Sequence, residues 1–172
     1  MTTTPPNDGR PAAETGDALI VENLFVRLPP GADRDYAVQE ISFTLKKGEI
    51  LCVIGESGSG KSVTANAAMG LFPTVLKPEG GRILFHGQDL LTLPQEALRD
   101  LRGRAISMIF QDPMSALNPL MTVGDQITGV MRAHGVGTPE TRRARALALI
   151  TEAGLPDPAL MMHQYPFRLS GG

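Results

Sequence analysis

The stretch Gly55-Glu56-Ser57-Gly58-Ser59-Gly60-Lys61-Ser62, entered from the apolar run Ile50-Leu51-Cys52-Val53-Ile54, constrains this chain more than any other. It fits G-x-x-x-x-G-K-[ST], in which glycines let backbone N–H groups close around phosphate oxygens without Cβ clashes. Lys61 in that pattern reaches the β- and γ-phosphates, and the Ser62 hydroxyl can ligate Mg²⁺. Residues 63–70 read as a helix whose N-terminal dipole faces the anion. The apolar run before the loop reads as its feeding strand. Gly55 through Ser62 are therefore expected to bind a nucleoside triphosphate with Mg²⁺.

Composition excludes several other classes. The net charge of −2 gives no general pull toward nucleic acid or acidic membranes. Trp is absent, so base-stacking platforms for nucleic acid are not expected. The lone Cys52 excludes a disulfide framework and a cysteine metal cluster, and its place in an apolar run predicts a small buried residue. His86, His134 and His163 lack metal-ligand spacing and read as surface residues. Residues 1–18 have no apolar core of a signal peptide and read as a disordered leader. No stretch offers about 18 continuous apolar residues, as a membrane helix would.

Order is expected from Leu19 onward. Residues 19–28 and the alternating run Ala37 to Leu45 predict two strands ahead of the loop, broken by Pro29-Pro30-Gly31. Residues 80–87 predict a short strand, 95–102 a short helix, and 105–110 a buried strand ending at Gln111. Val123, Ile127, Val130 and Met131 share one helical face, and a second helix runs from about Pro139 to Ala153, ending at Gly154. Antiparallel strands ahead of a phosphate-loop strand predict an α/β core with a β-subdomain. The Arg142-Arg143-Ala144-Arg145 run reads as the solvated face of its helix.

The order of phosphate loop, Ile109-Phe110-Gln111-Asp112-Pro113, helical insert and Leu169-Ser170-Gly171-Gly172 resembles the ATP-binding subunits of ABC transporters. The resemblance runs from about Leu19 to the last residue. It implies a P-loop NTPase core with an N-terminal antiparallel β-subdomain, one ATP-binding domain over 19–172, and a helical subdomain over about 112–168. It also implies ATP and Mg²⁺ as cofactors, with Gln111 as a metal and water-orienting residue beside Ser62. Ser170, Gly171 and Gly172 would contact the γ-phosphate of ATP held by a second such subunit, in a homo- or heterodimer. Gln111 to Pro119 followed by Thr122 to Ile127, with Tyr165-Pro166 ahead of Leu169, resembles the oligopeptide/dipeptide importer branch, which has nickel and glutathione importers as relatives. Expected partners are permease subunits and, through the complex, an extracytoplasmic solute-binding protein, with the chain peripheral on the cytoplasmic face of a bacterial inner membrane. The arginine run would then be a second candidate contact with the membrane subunits. The family stacks adenine on an aromatic upstream of the loop; the first aligned position here is Leu28, with Tyr36 nearby either as a substitute or as a plain edge-strand tyrosine. Alternative readings are a non-catalytic nucleotide-binding regulator (a pseudo-ATPase) and a cytosolic ABC protein.

The family's metal-holding aspartate, its water-polarising glutamate and its γ-phosphate-sensing histidine have no counterpart in these 172 residues, so the fold is expected to be incomplete at the C-terminus. Phosphoryl transfer depends on positioning and electrostatics, and loss of the activating carboxylate costs several powers of ten in rate. The 172-residue chain is therefore expected to release phosphate from ATP no faster than background. Steady-state release above background that disappears in Lys61→Ala would contradict this.

Overall fold

The structure, a computed structural model, describes residues 16–169. Ser170, Gly171, Gly172 and residues 1–15 of the expected leader lie outside the described residues. Two compact units divide between Arg99 and Asp100.

The first unit is built on strand β1 (Asp17–Arg27), which has antiparallel neighbours on both sides. β2 (Tyr36–Lys46) lies on one side, and β3 (Lys77–Phe85) with the short β4 (Gln88–Asp89) on the other, giving the order β2-β1-β3-β4. Val21, Leu24 and Val26 of β1 are all buried, although Val21 and Leu24 are an odd number of residues apart. A bulge resolves this. Val21 pairs with Phe43 and Leu24 with Ile41, while Glu22 pairs with Arg82 and Phe25 with Gly80, so β1 carries one extra residue relative to both neighbours. The extra residue resets the alternation, and all three apolar side chains reach the same core. Asn23 takes φ 46° there, and its N–H donates to Ser42 Oγ at 2.8 Å. Across from the bulge, Gly81 has φ +87°, and a methyl group on it would meet the Glu22 and Asn23 carbonyl oxygens at 2.4 Å. Only glycine fits there. β3 turns into β4 through His86 and Gly87, both with positive φ, the two-residue turn that matches strand twist.

Ile83 and Leu90 close the sheet's core, and each contributes roughly 2–3 kcal/mol by burial. Helix α1 (Lys61–Ala68) packs on β2 and β3, with Thr64 and Ala67 buried.

Two expected strands do not form. Residues 50–54 and 105–110 are neither strand nor helix, save an isolated bridge between Arg102 and Ile106. Ile50, Ile54 and Ile109 are 98%, 89% and 92% exposed. A strand exists through its ladder, and no strand among the described residues pairs with either run. Cys52 is exposed for the same reason, against the expectation of burial.

The second unit is helical. The short α2 (Gln95–Leu101) leads into it. α3 (Pro113–Ala116) starts at Asp112, whose carboxylate accepts from Met114 N at 3.2 Å. α4 (Val123–Ala133) is capped by Thr122, and α5 (Pro139–Glu152) by a Thr138/Thr141 capping box with Pro139 at its first turn. α6 (Pro158–Met161) is capped by Asp157. Ala146, Ile150 and Met162 form the core, with Val123, Ile127 and Met131 packed on it as their spacing predicts. Val130, expected on the same face, is half exposed and sits against Gly103 instead. Gly124 allows α4 to touch α6, since a methyl there would meet the Met162 carbonyl oxygen at 2.6 Å.

The bulge yields a stability prediction. Gly81→Ala is expected to destabilise by more than about 2 kcal/mol in urea unfolding, through both strain and clash. Gly87→Ala, at similar φ in open space, is expected to cost only about 1 kcal/mol. Equal losses would show that close approach to the β1 bulge is unimportant.

Candidate phosphate-binding site

The loop over 55–62 is fixed to the sheet through one residue. Gly60 is buried with φ +89°, and a methyl group on it would lie 2.4 Å from the Ala37 carbonyl oxygen and 3.1 Å from Val38 Cγ2 of β2. Its own carbonyl accepts from Thr64 N at 2.8 Å and from the buried Thr64 Oγ1 at 3.0 Å, which starts α1. Gly58 also has positive φ. At the loop's entry, a Cβ on Gly55 would meet Ser59 Oγ at 2.7 Å. The cradle's shape thus depends on missing side chains.

Lys61 reaches back across this cradle. Its Nζ donates to the carbonyls of Gly55 at 2.7 Å and Glu56 at 2.6 Å, and to Ser59 Oγ at 3.2 Å. From the turn between β1 and β2, Arg34 donates to the Gly58 carbonyl at 2.5 Å. A cleft of about 230 Å³ lies here, lined by Gly58 through Val63 and by Leu28, Arg34, Ala37 and Leu76. Among the described residues its lining holds two cations, Lys61 and Arg34, and no carboxylate. Such a cleft suits a multiply charged anion. Ser62 lines it and offers one hydroxyl to a cation. Among the described residues no group of three His, Cys, Asp or Glu can hold a metal, so a Mg²⁺ ion there would be held mainly by phosphate oxygens and water, as this ion commonly is. The glycine cradle, the lysine and the serine fit a Mg²⁺–nucleotide.

Tyr36 does not line this cleft; Leu28 does. The tyrosine ring meets Phe25 edge-on at 5.6 Å, and the Arg27 guanidinium lies 4.8 Å from its centroid. Arg27 also donates to the Tyr36 hydroxyl at 2.9 Å and to both Glu79 oxygens at 2.8 Å. The hydrogen bond from Arg27, and after it one from Tyr36, holds the Glu79 carboxyl below its ordinary range. Gln111 is exposed, immediately before the Asp112 cap of α3 in the helical unit. Arg34 escapes the sequence reading altogether: it sits in a Pro/Gly-punctuated turn, and its reach of 24 residues to Gly58 has no periodic signature.

The chain is similar to several known proteins. Residues 38–172 match the sequence profile described as ABC transporter. The dipeptide transport ATP-binding protein DppD of Escherichia coli is 46% identical over 154 residues, covering 90% of this chain and 47% of its own. The oligopeptide transport ATP-binding protein OppD of Bacillus subtilis is 42% identical over 158 residues, covering 90% and 43%. The peptidoglycan transport ATP-binding protein YejF of Agrobacterium fabrum is 44% identical over 159 residues, covering 92% and 29%. The chain thus spans less than half the length of these relatives. A solved structure of the dimeric MJ0796, a bacterial ABC transporter cassette, superposes with a TM-score of 0.75 at 26% identity, over 89% of this chain and 63% of its own. No described helix is long and apolar enough to cross a membrane.

The Arg27–Glu79–Tyr36 cluster predicts a pH dependence. Because the folded Glu79 carboxyl is depressed, its contribution is present above the unfolded value and lost as pH falls through the folded one. Unfolding of wild type and Glu79→Gln should therefore differ most near neutral pH and converge as acid protonates the carboxyl. A difference that grows toward acid would reverse the assignment.

Proposed function

The chain belongs to the ABC transporter ATP-binding family, and we propose from that membership that it is the nucleotide-binding part of a subunit powering peptide uptake into bacteria. The observation that carries the reading is the glycine cradle of 55–60, with Lys61 drawn into it beside a cleft free of carboxylates. In this reading residues 19–172 are one ATP-binding domain with a helical part over about 112–168.

Backbone N–H groups of the loop surround the phosphates, and Lys61 exchanges its loop carbonyls for β- and γ-phosphate oxygens. Ser62 and Gln111 would be the protein ligands of a bound Mg²⁺, which would supply charge neutralisation at the phosphates. Gln111 would also orient the attacking water, and Ser170 to Gly172 would close on ATP held by a second ATP-binding subunit. Permease subunits and a solute-binding protein complete the assembly, with this chain on the cytoplasmic face. Its relatives' names point to dipeptides and oligopeptides as the cargo.

The test is equilibrium binding of Mg–ATP to the full chain. Lys61→Ala is expected to weaken it by about tenfold or more, since charge-assisted hydrogen bonds to phosphate are lost. Arg34→Ala removes the latch on Gly58 and one of the cleft's two cations, and is expected to weaken binding by roughly three- to tenfold with the fold intact. Wild-type affinity in Lys61→Ala would overturn the reading of the loop.

A further inference from the structure

A second cleft, of about 360 Å³, lies wholly within the helical unit between α4, α5 and α6. Arg132 of α4 and Arg142 and Arg143 of α5 line it, with Asp125 and His163. The three guanidiniums outnumber the one carboxylate, in a chain whose net charge is −2. Among the described residues no other Asp or Glu lines this cleft.

Two of the three arginines are held in place. Arg142 Nε donates to the Val136 carbonyl at 2.6 Å, leaving its terminal N–H groups free of partners among the described residues. Arg143 donates to His163 Nε2 at 3.1 Å. A guanidinium cannot accept, so the imidazole nitrogen is the acceptor in this contact. Arg132 has no hydrogen-bond or ion-pair partner among the described residues, while Arg145, two residues beyond Arg143 and outside the cleft, is paired with Glu152 at 2.8 Å. Asp125 is engaged inside the cap, accepting from Thr122 Oγ1 at 2.7 Å, and Thr128 Oγ1 donates to the Gly124 carbonyl at 2.7 Å. Donors on three arginines thus face one carboxylate, of which Oδ2 is already engaged in the cap. Buried Met162 and Gly124 also line it, with Pro139.

We propose that this cleft is a second oxyanion site, separate from the phosphate loop, for a compact ligand carrying two or more negative charges on phosphoryl or carboxylate groups. Guanidiniums bind both groups through paired N–H···O bonds. Two of the three are tethered before the ligand arrives, which lowers the ordering cost of binding. The volume is at the small end for ligand pockets. The proposal stands independently of the nucleotide reading.

The test is calorimetric titration of the full chain carrying Lys61→Ala, which disables the phosphate loop, with pyrophosphate and with citrate at low ionic strength. Binding of at least one anion is expected, and the better of the two identifies the group as phosphoryl or carboxylate. Adding Arg132→Gln and Arg143→Gln should weaken it by about tenfold or more. Arg145→Gln removes the same charge from α5 outside the cleft and should change it by no more than about twofold. Circular dichroism checks the fold; if the paired variant does not fold, Arg143→Gln alone is read, with a smaller loss expected. Failure of both anions to bind, or equal losses in Arg145→Gln and the cleft variants, would overturn the proposal.

Discussion

The contact of Gly60 with the Ala37 carbonyl sets the geometry of the whole phosphate loop. It brings the start of α1 flush against β2, closer than any side chain permits, and Thr64 locks the junction from the helix side. With that end fixed, Lys61 can span the loop to Gly55 and Glu56, and Arg34 can reach Gly58 from the turn that precedes β2. Lost conformational freedom is confined to a few glycines whose backbones no other residue reproduces. The cradle is therefore a consequence of the β-sheet as much as of the loop's own sequence.

The sheet in turn depends on one extra residue. Without the bulge at Asn23, Val21 and Leu24 would face opposite sides, and either the core or the exit of β1 would be misdirected. The bulge holds Val26 in the core, while Leu28, just beyond the strand, lines the phosphate cleft. Arg27 stays outside with Tyr36 and Glu79. One local irregularity thus separates an aliphatic lining at Leu28 from an aromatic and ionic cluster at its sequence neighbour Arg27.

Charge is partitioned with similar economy. Arg27, Arg82 and Arg145 each pair with a carboxylate on the surface, where such pairs contribute little to stability. Lys61 and Arg34 face one cleft, and Arg132, Arg142 and Arg143 face another, where among the described residues Asp125 is the one carboxylate in the lining. Unneutralised cations held at a concave surface mark where anions are welcome. The formal net charge hides this, because it sums the two populations.

By itself the sequence determined the phosphate loop, the strands of the β-subdomain, the capped helices α4 and α5 and the Val123–Ile127–Met131 stripe, because each is a local pattern of backbone preference or periodicity. It also carried the resemblance to ABC transporters, since short motifs in fixed order survive reading without coordinates. Strand status for 50–54 and 105–110 could not be read that way, because a strand is made by its partner and an apolar run does not name one. Likewise only the tertiary structure decided that Leu28 rather than Tyr36 lines the cleft, that Arg34 latches Gly58, and that Arg132 and Arg143 converge on one cavity. Those placements arise from bulges, turns and helix crossings that bring distant residues together, and sequence distance carries no record of them.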